Sequence, residues 1–266
     1  MMRPNQIQQR LRAGQPVLNG WLSIASSFSA EAIGHAGFHS VTVDMQHGMI
    51  GFSDALHMLQ AISATPATPL VRVSCLDGPE IMRALDAGSY GVICPMIRTA
   101  KDAELLVSSC RYPPAGTRSF GPARGLLFGG DDYVDEANKT ILAIPMIETV
   151  EAVECIDDIL AVDGVDMIYV GPNDTALAFD GHVVGARTRA EAAIAHVLAR
   201  ARHAGVATGV FCSDAKDAIA RLKQGFDLVT PGNDMGLLKS AAMSAIGLIN
   251  SHGEAEAGSG VISGGY

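Results

Sequence analysis

The run "VDMQHGMIG" (43–51) places Asp44 three positions before His47, where an apolar segment breaks off. A carboxylate that orients an imidazole can relay protons; the same pair can also serve only to stabilise a turn. Arg72 stands inside the apolar run "PLVRVS" (69–74). It is either a fixed cation facing a developing oxyanion or a wall arginine whose stem packs while its head reaches the rim. Glu148 and Asp174 each follow a strongly apolar run. An isolated buried carboxylate is costly, so it is paired, protonated or bound to metal. Two carboxylates with no histidine or cysteine nearby favour a hard cation such as Mg²⁺ or Mn²⁺, and two protein ligands leave positions open for water and substrate. Each can equally cap the helix after it, as Asp174 can in "PNDTAL".

Eight short β-rich apolar runs position these residues: 19–24, 40–45, 69–74, 91–96, 141–148, 167–172, 206–212 and 226–232. Most are apolar throughout, as parallel strands covered on both faces are. Amphipathic stretches lie between them, at 29–37, 53–63, 78–88, 100–110, 149–162, 189–204, 214–224 and 234–249. Several end in glycine ("GHAG", "LDAG", "RHAG", "LKQG"), the residue that closes a helix in the left-handed conformation. Eight β-then-α units after a short helix at 5–13 describe a single-domain (β/α)8 TIM barrel. A doubly wound open sheet is the alternative, and no GxGxxG after the first strand supports it. In a barrel the active site lies at the carboxyl ends of the strands. Those ends carry Asp44, Gln46 and His47, then Arg72, Glu148, the "GPND" of 171–174, and finally Phe211 and Cys212.

Two segments fall outside the repeat. Residues 111–140 form a connection long enough to be a functional loop or binding flap. Residues 251–266 are Gly/Ser-rich and read as a flexible tail behind a barrel domain of residues 1–250. The five lysines (101, 139, 216, 223 and 239) all fall away from the carboxyl ends of strands, which disfavours a Schiff-base mechanism. A net charge of −9 without a basic cluster argues against nucleic acid and anionic membranes as partners. No apolar run approaches the ~20 residues of a membrane span, and the polar N-terminus lacks a secretory core. Five scattered cysteines without a CxxC pair fit a reducing cytoplasm.

The motifs "VDMQHG", "LVRV", "ALDAGSYGVICPMI", "RYPPAGTRSFGPARG", "MIET" and "YVGPNDTAL" stand in order along the chain. With them the sequence resembles the HpcH/HpaI aldolase family, metal-dependent class II pyruvate aldolases, from about residue 3 to residue 250. The resemblance implies a (β/α)8 barrel whose last helix is exchanged between subunits of a trimer-based hexamer. It implies that Glu148 and Asp174 hold Mg²⁺, Mn²⁺ or Co²⁺, with no organic cofactor. Arg72 would contact the keto oxygen, Asp44 and His47 would form the proton-relay dyad, and the amides of Asn173 and Asp174, in the loop with Gly171 and Pro172, would meet the substrate carboxylate. Trp21 matches a pocket position, and Phe211 with Cys212 would line the aldehyde side. Arg118 and Arg124 are candidates for a second carboxylate or are solvated loop residues.

Many members carry glutamate at Gln46 and glutamine at Met146; the combination here is similar to a hydroxyketoacid-aldolase subgroup. The activity implied is reversible cleavage of 4-hydroxy-2-oxo acids to pyruvate or hydroxypyruvate and an aldehyde. Three alternatives stay open: a citrate-lyase-β or malyl-CoA-type thioester lyase, a phosphate-substrate barrel enzyme using "TPGNDMG" (230–236), and a barrel without catalysis serving as a binding subunit.

Overall fold

A computed structural model of the chain describes residues 1–259, with side chains through Ser251. Eight parallel strands close into a barrel in sequence order: β1 (Val17–Leu22), β2 (Ser40–Asp44), β3 (Thr68–Arg72), β4 (Gly91–Cys94), β5 (Leu142–Ile147), β6 (Met167–Val170), β7 (Ala207–Cys212) and β8 (Leu228–Pro231). The helix α1 (Gln6–Arg12) precedes them and buries Ile7 completely, as part of the apolar cluster inside the barrel. Around the outside run α2 (Ser27–Gly34), α3 (Phe52–Ser63), α4 (Gly78–Asp86), α5 (Ala100–Cys110), α8 (Val150–Glu154), α9 (Ile156–Leu160), α10 (Pro172–Asp180), α11 (Thr188–Ala204), α12 (Ala215–Gln224) and α13 (Asp234–Ser259). No helix among the described residues is long and apolar enough to cross a membrane.

Successive side chains of a strand point to opposite faces, so each strand feeds two cores. Leu70, Ile93, Ile144, Met146 and Tyr169 fill the barrel, whereas Val71, Val92, Cys94, Ile147 and Val170 pack outward against helices. The same alternation aims Trp21, Asp44 and Arg72 inward. The barrel interior is not wholly apolar. Asn19 donates to Thr42 and Thr230 at 3.0 Å each and accepts from Ser40 at 2.8 Å, while the Tyr169 hydroxyl donates to Thr230 at 2.7 Å. These groups satisfy one another, as burial demands.

Local signals act as their chemistry requires. Asp77, Thr99 and Asp214 cap α4, α5 and α12 by accepting first-turn amides. Gly37, Gly88, Gly205 and Gly225, the residues that closed the expected helices, all take positive φ.

Three elements depart from expectation. The 111–140 connection is not an open flap: it folds into α6 (Ala123–Gly129) and α7 (Tyr133–Thr140). It joins a helix to the next strand, which puts it at the amino-terminal face of the barrel, opposite the strand ends where chemistry sits. The helix after β6 begins at Pro172, seventeen residues before the stretch expected there (189–204), and is followed by a second one, α11. Finally, α13 runs to Ser259, past the 249 expected of it and into the segment read as a tail; residues 260–266 of that segment lie outside the described residues.

Candidate active site

A cavity of about 250 Å³ opens at the carboxyl ends of the strands. Asp44 and Arg72, the last residues of β2 and β3, are register partners on adjacent strands, so their inward side chains meet. Arg72 donates through Nε to Asp44 Oδ1 at 2.8 Å and through Nη2 to Oδ2 at 2.6 Å. Trp21 Nε1 donates to the same carboxylate at 3.1 Å, and the amides of Gln46 and His47 donate to Oδ1. Burial works to raise the Asp44 carboxyl, but the bonds and charge of Arg72, helped by Trp21 and the His47 amide, outweigh it and hold the group below its ordinary value. The two-point clasp fixes the guanidinium in one plane, with its carbon 4.8 Å from the Trp21 ring centroid. Trp21 in turn packs at 5.6 Å against both Tyr169 and, edge-on, Phe211. Arg72 Nη1 is left facing the sulfur of Met146 at 3.9 Å, a weak acceptor.

Glu148 follows β5 and is buried. Its Oε1 accepts the amide of Met96 at 2.9 Å. Met96 takes φ +57°, an uncommon conformation for a residue with a side chain, and holds its N–H toward the carboxylate in doing so. Gly171 stands across from Oε2. A Cβ there would fall 2.4 Å from Glu148 Oε2 and 2.7 Å from Met146 Cε, so any side chain at this position would have to displace the ends of those two residues. Burial pushes the Glu148 carboxyl up; the Met96 amide opposes, nearby Asp174 adds to the rise and Arg72 opposes, leaving it at about 7. Asp174 lies in the first turn of α10 and lines the cavity with Asn173. The Gly171 carbonyl closes the first turn by accepting Thr175, so the amides before it have no partner within the helix and present its positive end to the cavity.

This is a fitting place for a divalent cation. A buried acid whose proton is held up for want of countercharge stands beside a second carboxylate, and both offer hard oxygens. Among the described residues no group of three or more His, Cys, Asp or Glu side chains converges. An ion here would therefore keep positions free for substrate and water.

Comparison with known proteins decides the lineage. A profile of the family described as HpcH/HpaI aldolase/citrate lyase matches residues 19–241. The chain belongs to the HpcH/HpaI aldolase/citrate lyase family. It is an enzyme of the aldolase class of lyases, and the family is divalent-metal dependent. A hydroxypyruvate/pyruvate aldolase of Rhizorhabdus wittichii is 41% identical over 91% of this chain and 97% of its own. A 2-dehydro-3,6-dideoxy-6-sulfogluconate aldolase of Pseudomonas putida is 37% identical over 85% and 89%. A solved HpcH/HpaI aldolase/citrate lyase family protein from Burkholderia cenocepacia superposes with a TM-score of 0.87 at 35% identity, over 92% of this chain and 99% of that one.

Within this HpcH/HpaI barrel, most residues singled out in the sequence meet at one mouth. Trp21, Asp44, His47, Arg72, Asp174 and Phe211 all line the cavity, and Glu148 stands at its wall behind Gly171. Five expectations need correction. Asp44 does not orient the His47 imidazole: its oxygens are taken by Arg72, Trp21 and backbone amides, and it holds His47 through the chain rather than the ring. Cys212 does not line the pocket. It alternates with Phe211, points into the outer core, and burial pushes its thiol to about 12. Gln46 is half-buried and outside the cavity wall, its Oε1 unpartnered among the described residues.

Arg118 and Arg124 are neither substrate ligands nor solvated. Buried Arg118 pairs with Asp86 at 2.7 Å and Tyr133 at 3.0 Å, and Arg124 donates to the carbonyls of Ala87 and Leu59, which stitches the α6–α7 segment to the barrel. The alternative phosphate site after β8 is occupied by the chain itself: Asp234 Oδ1 accepts the amides of Ser23 and Met235, and Asn233 accepts that of Gly236. A carboxylate there would repel phosphate.

Sequence reasoning passed over Tyr169 and Ser23, which line the cavity, and over Met96. Strand parity would have found Tyr169, which shares its inward face with Met167. Nothing in the sequence marks Met96, because its contribution is a backbone amide.

Proposed function

We propose that this enzyme is a divalent-metal-dependent pyruvate aldolase that reversibly cleaves 4-hydroxy-2-oxo acids into pyruvate, or hydroxypyruvate, and an aldehyde. The observation that carries this reading is the Arg72 guanidinium, clasped by Asp44 and lining the same cavity as Asp174, with Glu148 packed behind the lining residue Gly171. The names of the Rhizorhabdus wittichii and Pseudomonas putida relatives support the class of substrate.

Glu148 and Asp174 would hold the ion, Mg²⁺, Mn²⁺ or Co²⁺, which when bound supplies Lewis-acid polarisation of the 2-oxo carbonyl. The chain's own residues do the rest. Free amides at the start of α10, at Asn173 and Asp174, receive the substrate carboxylate. Arg72 Nη1 turns from the Met146 sulfur to the C2 oxygen and stabilises the negative charge that grows there. In the cleavage direction the C4 hydroxyl gives up its proton toward His47, whose position at the rim suits proton exchange with solvent. The C3–C4 bond then breaks: its electron pair becomes the enolate of pyruvate and C4 becomes the aldehyde carbonyl. Trp21, Tyr169 and Phe211 wall the reacting carbons and keep water from the enolate. No lysine lines the cavity, in keeping with an enolate rather than a Schiff base.

The exposed apolar side chains of α13, among them Leu238, Ile246 and Leu248, support a homo-oligomer built by exchange of this helix, a trimer-based hexamer. The cysteines are unpaired, which supports a cytoplasmic home.

The test is product formation from pyruvate or hydroxypyruvate with a panel of aldehydes, after EDTA and after adding back each of the three metals. Metal-dependent aldol product is expected. Product that persists in EDTA, or inactivation by borohydride in the presence of pyruvate, would overturn the reading.

A further inference from the structure

Asp234 is buried at the root of α13, and among the described residues no cation pairs with it. A buried carboxylate without a counterion must be satisfied by hydrogen bonds. Its Oδ1 accepts the amides of Ser23 at 2.8 Å and Met235 at 2.9 Å, and its Oδ2 accepts the amide of Ile24 at 3.3 Å and the hydroxyl of Ser29 at 3.1 Å. All but the Met235 bond come from the loop after β1 and the start of α2, 205–211 residues away in the chain. Capping α13 is not the task of Asp234. Asn233 does that, its Oδ1 accepting the amide of Gly236 at 2.9 Å. A strong, charged acceptor thus joins two loops that only closure of the barrel brings together.

This joint borders the reaction pocket. Ser23, Asn233 and Met235 line the cavity on the side of β1 and β8, and Asn233 Nδ2 donates to Ser23 Oγ at 3.0 Å. The Ser23 carbonyl accepts the amide of Met49 at 3.3 Å, two residues beyond His47. Asp234 therefore holds Ser23, and Ser23 holds the turn after β2. We propose that Asp234 is a positioning residue that sets the aldehyde side of the pocket and, through Ser23, the placement of His47. This rests on the aldolase reading, which puts the 2-oxo acid between Arg72 and α10 and leaves the sector of β8, β1 and β2 to the aldehyde. Since α13 begins at Asp234, the same carboxylate ties the root of that helix to the pocket wall.

The experiment varies aldehyde and pyruvate in turn, at saturating Mn²⁺, in wild type, Asp234→Ala, Asp234→Asn and Ser29→Ala, and measures Mn²⁺ affinity by calorimetry. Trp21, the single tryptophan of the chain, lies two residues before Ser23 and reports this wall without any reaction. At a temperature where circular dichroism shows a full fold, Asp234→Ala should lower kcat/KM for the aldehyde roughly tenfold to a hundredfold, as a small misplacement in a pocket does. It should also let acrylamide quench Trp21 more readily. KM for pyruvate and the affinity for Mn²⁺ should stay near those of wild type. Asp234→Asn keeps the Oδ1 acceptor for Ser23 and Met235 and should recover part of the loss. Ser29→Ala, which removes one bond to Oδ2, should show the same pattern more weakly. A lower melting temperature with normal kinetics, or an equal loss toward pyruvate and aldehyde, would make Asp234 merely structural and overturn the proposal. If Asp234→Ala does not fold, the other two variants decide it, and normal aldehyde kinetics in both overturns it. Wild type without metal-dependent product is the separate outcome that sinks the aldolase reading, whereas unchanged Trp21 quenching in folded Asp234→Ala sinks the joint alone.

Discussion

Asp44 and Arg72 end neighbouring strands in register and close a two-point ion pair of 2.8 and 2.6 Å inside the barrel mouth. The pair is nearly sealed from water on one side while one guanidinium nitrogen still faces the cavity. It is therefore both a structural clasp and the mounting of a catalytic cation.

Arg72→Lys should fold yet lose on the order of 3 kcal/mol of transition-state stabilisation, about a hundredfold in kcat. A lysine cannot bind both Asp44 oxygens and still reach the cavity. Steady-state kinetics check this, and a near-normal kcat would remove Arg72 from the mechanism. Asp44→Asn should instead cost stability, about 3 kcal/mol in urea denaturation, because it leaves a buried guanidinium without its counterion.

Glu148 makes the metal-free protein sensitive to pH. Its carboxyl rises from an ordinary value of 4.5 to about 7, first through burial. The folded state thus binds that proton more tightly than the unfolded chain. Stability present below about pH 4.5 is lost as pH climbs to about 7 and stays lost above it, on the order of 3 kcal/mol. Glu148→Gln should flatten this fall and stabilise the metal-free protein at pH 8. Added Mn²⁺ should raise the melting temperature of the wild type more at pH 8 than at pH 5, since the ion competes with the proton. Urea midpoints across this range, with and without EDTA, would show it; parallel curves for wild type and variant would contradict it.

Gly171→Ala tests the approach of the α10 turn to Glu148. The added methyl would collide with Oε2 and with Met146. Overpacking of this kind costs about 1–3 kcal/mol. The expected signature is weaker metal binding by calorimetry, with a fold intact by circular dichroism. Unchanged metal affinity would show that the turn relaxes freely.

Arg118→Leu separates the structural arginines from the catalytic one. Losing the bonds to Asp86 and Tyr133 should lower stability by about 2–4 kcal/mol. The folded fraction should keep its kcat, because the α6–α7 segment lies at the other face of the barrel. A large fall in kcat at full folding would place this segment in the site after all.

Much of the molecule is decided by local patterns. Eight apolar runs of strand length, alternating with helices closed by glycine, dictate a barrel; a barrel then dictates that Asp44, Arg72, Glu148 and Asp174 gather at one end. These are properties of short segments and of chain order, and the sequence carries them directly. Which partner each side chain takes is another matter. Asp44 and His47 are close in sequence, yet Asp44 binds Arg72, because strand register brings those two together and the turn sends the imidazole toward the rim. Phe211 and Cys212 are neighbours, yet only one sees the cavity, since a strand turns successive residues to opposite faces. Met96 acts through an amide that any residue possesses. Contacts between segments distant in the chain depend on register, parity and backbone direction, and those are fixed only when the barrel closes.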